Sequence, residues 1–243
     1  FLLPQNELYC GQWHLVKIGL HKDIIEALNS PYSYSTQDTI ITIRHSKPIS
    51  KFSHKGTFGH ALIIAGSIGK IGAATLTVGA CMRSGAGLTT AYIPKCGYTI
   101  MQISRPAAMA LVDSQDEFIS AIPELTPYSV IAIGPGVGTN TYTAKALSDL
   151  IEQTKVPLVI DADALNLLAL SPALLAKLPP QSVLTPHPKE FERLAGKSLN
   201  HYERLQKAMA FAQHYQIILV LKGAHSAVIA PNGQVYFNST GNP

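Results

Sequence analysis

From residue 60 onward the chain alternates short, wholly apolar runs with longer stretches that are apolar along one helical face. The runs predict strands at 61–65, 88–93, 130–134, 157–161, 182–185 and 217–221, and the periodic stretches predict helices at 72–84, 142–152, 164–169, 188–195 and 201–214. Strands that are apolar on every side have no surface to offer water. The alternation therefore implies an α/β fold, a mostly parallel central sheet with helices on both faces. Ahead of this region, Trp13-His14-Leu15-Val16-Lys17-Ile18-Gly19-Leu20 alternates like a terminal strand, and Asn29 to Asp38 is rich in turn formers. The expected organisation is a segment over 1–28, a linker over 29–49 and a main domain over 50–243.

In a parallel sheet, ligands bind beyond the carboxyl ends of the strands, so the residues just after each apolar run carry the chemistry. Those exits are glycine-rich or polar: Gly66-Ser67, Gly134-Pro135-Gly136-Val137-Gly138, Asp161-Ala162-Asp163, Thr185-Pro186-His187-Pro188-Lys189-Glu190 and Lys222-Gly223-Ala224-His225-Ser226. Five such exits along one edge describe a site. The first resembles known phosphate loops only superficially. Gly69-Lys70 is followed by Ile71 where a P-loop needs Ser or Thr, and Gly66-x-x-Gly69-x-x-Gly72 is not the dinucleotide spacing. What remains is a strand, loop and helix that either faces a ligand with free N–H groups or lets a helix pack closely on a strand. Gly136 likewise either leaves room for a ligand or forms a tight turn. Asp161 and Asp163 read as ligands of Mg²⁺ or sugar hydroxyls, or as a helix cap and a surface charge. His187, held between two prolines, reads as a polar contact, and Glu190 as support for a hydrated cation or as a helix-dipole partner. Lys222, at the end of an apolar run, needs an anionic partner such as a nucleotide phosphate.

Composition narrows the partners. With 243 residues, 47% hydrophobic and 14% charged, and a net charge of +4, the chain has a large core and few charges for tracking nucleic acid. No apolar run approaches the roughly twenty residues that span a bilayer. Cys10, Cys81 and Cys96 lack metal-site spacing and are odd in number, which sets a reducing cytoplasm as the default location. Neither nucleic acid nor membrane is an expected partner.

The ordered succession His54-Lys55-Gly56-Thr57, Ala65-Gly66-Ser67, Gly72-Ala73-Ala74, Ser84-Gly85-Ala86-Gly87-Leu88, Gly134-Pro135-Gly136, Asp161-Ala162-Asp163-Ala164-Leu165, Thr185-Pro186-His187-Pro188, Lys222-Gly223 and Gly241-Asn242 resembles the ADP- or ATP-dependent NAD(P)H-hydrate dehydratases of the ribokinase-like superfamily. Residues 1–28 are similar to the last strand of the NAD(P)H-hydrate epimerase domain that precedes the dehydratase in bifunctional bacterial proteins. The resemblance implies repair of the S form of hydrated NADH or NADPH by phosphorylation and phosphate loss, with Mg²⁺ and ADP or ATP as the phosphoryl donor. It implies that Gly66, Ala73, Gly136 and His187 hold the hydrated dinucleotide, that Lys222, Gly223, Ala224, His225, Ser226 and Asn242 hold the nucleotide, and that Mg²⁺ lies near Glu190. It also implies small-molecule ligands and homo-oligomers. One departure stands out: the family's glycine-rich loop and general-base aspartate follow Gly-Asn, whereas this sequence stops at Pro243, so the fragment is expected to be a C-terminally truncated, inactive form. Two alternatives remain: a ribokinase-like kinase of a hydroxymethylpyrimidine or thiazole alcohol, and a non-catalytic nucleotide-binding module.

Overall fold

The computed structural model describes residues 2–240 apart from 12, 15, 17, 47 and 48. After a 3-10 turn over Pro4–Tyr9 come α1 (Lys22–Ala27), β1 (Tyr32–Tyr34), α2 (Gln37–His45), β2 (His60–Ile64), α3 (Ile71–Arg83) and β3 (Leu88–Ile93). They are followed by α4 (Tyr98–Ser104), β4 (Met109–Val112), β5 (Val130–Ile133), α5 (Thr141–Gln153), β6 (Leu158–Ile160) and α6 (Asp163–Leu170). The chain closes with β7 (Val183–Leu184), α7 (Pro188–Ala195), α8 (His201–Tyr215), β8 (Ile218–Leu221), β9 (Ser226–Ile229) and β10 (Val235–Asn238). Every strand and helix predicted from residue 60 onward is present, each end within one residue of its expected place.

Among the described residues the strands form one ten-stranded sheet in the order β1-β10-β9-β8-β7-β6-β5-β2-β3-β4. β9 runs antiparallel to β8 and β10, and all other neighbours are parallel. Side chains alternate across a strand, so β2 shows how both faces are used. Leu62 and Ile64 enter a large core with residues of α5, α6, α7 and α8, while Ala61 and Ile63 enter a smaller one with Ala74 and Val78 of α3 and Met101 of α4. Small alanines on the α3 side let that helix lie close to the sheet, which fixes where its N-terminus emerges.

The expected elements did not include α1, α2, α4, β4, β9 or β10, and the stretches ahead of residue 50 differ further. The stretch read as a linker contains β1, which joins the sheet by parallel pairing of Tyr32, Ser33 and Tyr34 with Val235, Tyr236 and Phe237, and Tyr34 also hydrogen-bonds Ser239. In the expected terminal strand, Leu15 and Lys17 lie outside the described residues, and the described positions between Trp13 and Leu20 join no ladder. A lone strand leaves half its backbone groups without partners, so alternation alone does not stabilise one. Among the described residues, no helix is long and apolar enough to cross a membrane.

Candidate functional site

The carboxyl ends of β2 and β5 are joined into one wall. Gly66, buried and at φ 85°, donates its N–H to Pro135 O at 2.9 Å, and the Ser67 hydroxyl donates to Gly136 O at 2.7 Å. Gly136 has φ 70°, and a Cβ there would stand 2.9 Å from Lys70 O and 3.1 Å from Ala73 Cβ. Here the glycine reading resolves: Gly66, Ala73 and Gly136 form one close-packed surface in which neither glycine can carry a side chain without strain. α3 begins beside this surface with no side-chain cap, and in its first turn Ala73 N donates to Lys70 O at 3.1 Å.

The β6 exit ties this wall to the next. Ala162 sits at φ 51°, a conformation disfavoured for a residue with a Cβ, and the bend sends its two neighbours in different directions. Asp163 Oδ2 accepts from Gly138 N at 3.0 Å and pairs with Lys70 Nζ at 3.2 Å. Asp161 Oδ1 instead meets Lys222 Nζ at 2.5 Å, with both side chains partly exposed. The anionic partner required by Lys222 is thus a carboxylate of the same chain. The Lys222 backbone N–H donates to Pro186 O at 3.0 Å, which fastens the β8–β9 loop to the β7 exit.

At that exit His187 is the N-cap of α7. Its Nδ1 accepts from Lys189 N at 3.1 Å and from Glu190 N at 3.4 Å, while Glu190 Oε2 accepts from His187 N at 2.8 Å. This is a capping box in which an imidazole takes the usual hydroxyl's place, and it leaves Nε2 on the outer side, 3.4 Å from Glu190 Oε1. Both carboxylate oxygens of the buried Glu190 therefore face His187. Among the described residues no three His, Cys, Asp or Glu side chains form a metal cluster. Mg²⁺ is commonly held by one or two carboxylates, waters and substrate phosphates, a role this edge fits better than an all-protein cage.

The remaining predicted residues cluster at β8. Gly223 and Ala224 are exposed at the loop tip, His225 and Ser226 are half-buried, and Lys222, Gly223 and His225 line a cleft with Pro188, His201 and Arg204. The rest of the lining is apolar, including Leu2, Leu3, Leu205, Leu221 and Phe237, and Lys222 and Arg204 are paired with Asp161 and Glu192. Asn242 lies outside the described residues. Two elements of the edge escaped the sequence: the Lys70–Asp163 tie, which depends on the bend at Ala162, and the buried carboxylate of Asp113, which follows the unrecognised strand β4.

A family model described as NAD(P)H-hydrate dehydratase matches residues 61–243. The chain belongs to that family. The matched span takes in all the dehydratase-site candidates above. Among curated relatives, the bifunctional NAD(P)H-hydrate repair enzyme Nnr of Moorella thermoacetica is 39% identical over 200 residues, covering 78% of this chain and 38% of that protein. The Nnr protein of Coxiella burnetii is 33% identical over 253 residues, covering 100% of this chain and 50% of that protein. The chain thus spans half or less of these two relatives. An ADP/ATP-dependent NAD(P)H-hydrate dehydratase from Bacillus subtilis, co-crystallized with ATP/Mg²⁺, superposes with a TM-score of 0.70 at 30% identity, covering 89% of this chain and 75% of that one.

Proposed function

We propose that this chain serves nicotinamide-nucleotide repair, as the nucleotide-dependent dehydratase part of a protein that returns the S form of hydrated NADH or NADPH to the intact cofactor. The observation that carries the reading is the continuous edge from Gly66 to Ser226. The close-packed glycine wall of Gly66, Ala73 and Gly136 and the Lys222 loop share it, tied to β6 through Asp163 and Asp161. In this reaction the hydroxyl oxygen of the hydrated ring takes a phosphoryl group from ADP or ATP. The ring C–O bond then breaks, a proton leaves the adjacent carbon, and phosphate departs with the oxygen. Phosphoryl transfer of this kind rests mainly on positioning and charge neutralisation. Gly66, Ala73 and Gly136 shape the dinucleotide side, His187 Nε2 is the polar contact beside it, and the Lys222 loop holds the donor's phosphates. Glu190, whose carboxylate also fixes His187, would hold Mg²⁺, and the ion would supply positive charge to neutralise the donor's phosphates. An epimerase partner activity, a homo-oligomer and a cytoplasmic location complete the reading.

The test is to express the protein from its complete reading frame and supply hydrated NADH with ADP or ATP. Recovery of the reduced-nicotinamide absorbance in step with phosphate release is the expected result. A stable phosphorylated pyrimidine or thiazole alcohol, with no recovery from hydrated NADH, would instead establish the kinase; nucleotide binding without turnover of either substrate would establish the non-catalytic module.

A further inference from the structure

Asp113 is 1% exposed, yet its carboxylate is ringed by donors. Oδ2 accepts from Tyr92 Oη at 3.0 Å, Ser120 N at 2.8 Å and Ala121 N at 3.1 Å. Oδ1 accepts from Gln115 N at 2.8 Å, Ser120 Oγ at 2.7 Å and Ser114 Oγ at 3.3 Å. Burial works against its charge, but the Gln115, Ser120 and Ala121 hydrogen bonds prevail and hold the carboxyl below the usual carboxylate range. Burial, followed by the charge and hydrogen bond of Asp113, pushes the Tyr92 phenol well up, so it stays a donor.

This carboxylate gathers both ends of the 114–121 loop, and the middle of the loop bears on the site. Glu117 O accepts from Ile68 N at 2.8 Å, and Ile68 directly follows Ser67, whose hydroxyl holds Gly136 O. Further along, Ile119 O accepts from Thr143 Oγ1 at 2.9 Å, and Gln115 O and Asp116 O accept from Lys95 N and Cys96 N. The loop is thus clamped to α5 and to the β3 exit, and can transmit a displacement to the Gly66 wall.

We propose that Asp113 is a positioning residue for the dinucleotide side of the site: its buried charge shapes the 114–121 loop, whose Glu117 carbonyl holds the Gly66-Ser67-Ile68 wall against Gly136. This rests on the reading that the wall receives the hydrated dinucleotide. The donors specify an anion, because an asparagine would turn its NH₂ toward groups that also donate. Calorimetry on the full-length protein, titrated separately with NADPH and with ADP, tests it. Asp113→Asn should weaken NADPH binding about tenfold, with KM for hydrated NADPH rising in step, and leave ADP affinity within about twofold. Ser120→Ala, which removes one donor, should shift NADPH in the same direction by less.

Unchanged NADPH affinity in folded Asp113→Asn, or equal weakening of both ligands, overturns the positioning role. Should Asp113→Asn fail to fold, unchanged NADPH affinity in Ser120→Ala overturns it. A wild-type protein that binds ADP but no NADPH overturns the underlying dinucleotide reading, an outcome distinct from wild-type binding that the variants leave unaltered.

Discussion

Ala162 occupies a backbone region where glycine is at ease and alanine is not, between two aspartates that serve different lysines. Ala162→Gly should relieve strain worth more than the added chain entropy, raising stability by about 1 kcal/mol and the melting temperature by roughly 2–4 °C in thermal unfolding. Lys222→Met removes the cation of the β8–β9 loop and leaves Asp161 alone. Calorimetry should show nucleotide affinity falling about tenfold, or ~1.4 kcal/mol, with NADPH binding little changed. Glu190→Gln keeps an oxygen for His187 N, so α7 should remain capped and melting nearly unchanged. Under the proposed role, the Mg²⁺ concentration giving half-maximal turnover should rise; no rise would reduce Glu190 to a capping residue. His60 lies 2.7 Å from Thr90 Oγ1, and burial lowers its pKa from 6.5. The unfolded chain then binds more protons than the fold as pH drops below that value, so His60 contributes stability near neutrality that is lost toward acid. His60→Gln should flatten this part of a denaturant-midpoint-against-pH curve.

At the scale of elements, what the sequence revealed depended on how much of each strand is buried. β2, β5, β6, β7 and β8 are apolar runs inside the sheet, and their exits named most of the site. β4 was missed although Ala107 to Val112 is a continuous apolar run; in the fold it is an edge strand whose Met109, Leu111 and Val112 are exposed, and Asp113, at its exit, went with it. β1 escaped because three residues between Pro31 and Ser35 read as a turn until β10 is there to pair with them. The β9–β10 hairpin was also missed, although Asn232-Gly233, with Gly233 at φ 85°, stands between its two short runs. The pairings Lys70–Asp163 and Asp161–Lys222 join residues 93 and 61 positions apart, and no local pattern encodes such distances. Close approach of whole elements also makes Gly134 hard to replace: a Cβ there would fall 1.8 Å from Asp161 O. Gly134→Ala should therefore destabilise the protein by several kcal/mol, read as a lowered denaturant midpoint, by forcing the β5 and β6 exits apart.

For the molecule as a whole, the sheet acts as a ruler. The glycine wall hangs from β2 and β5 and the lysine loop from β8, with β6 and β7 between them. Three strand spacings from β5 to β8 come to roughly 14 Å. In the proposed reaction the atoms that exchange a phosphoryl group must come within about 3–3.5 Å. Two ligands anchored at opposite marks of this ruler must therefore reach inward, and their reactive ends meet over β6 and β7, above Asp161, Asp163 and His187. Because the spacing is set by backbone ladders rather than side chains, surface substitutions leave it unchanged, whereas a register shift between β5 and β8 would recalibrate the whole site.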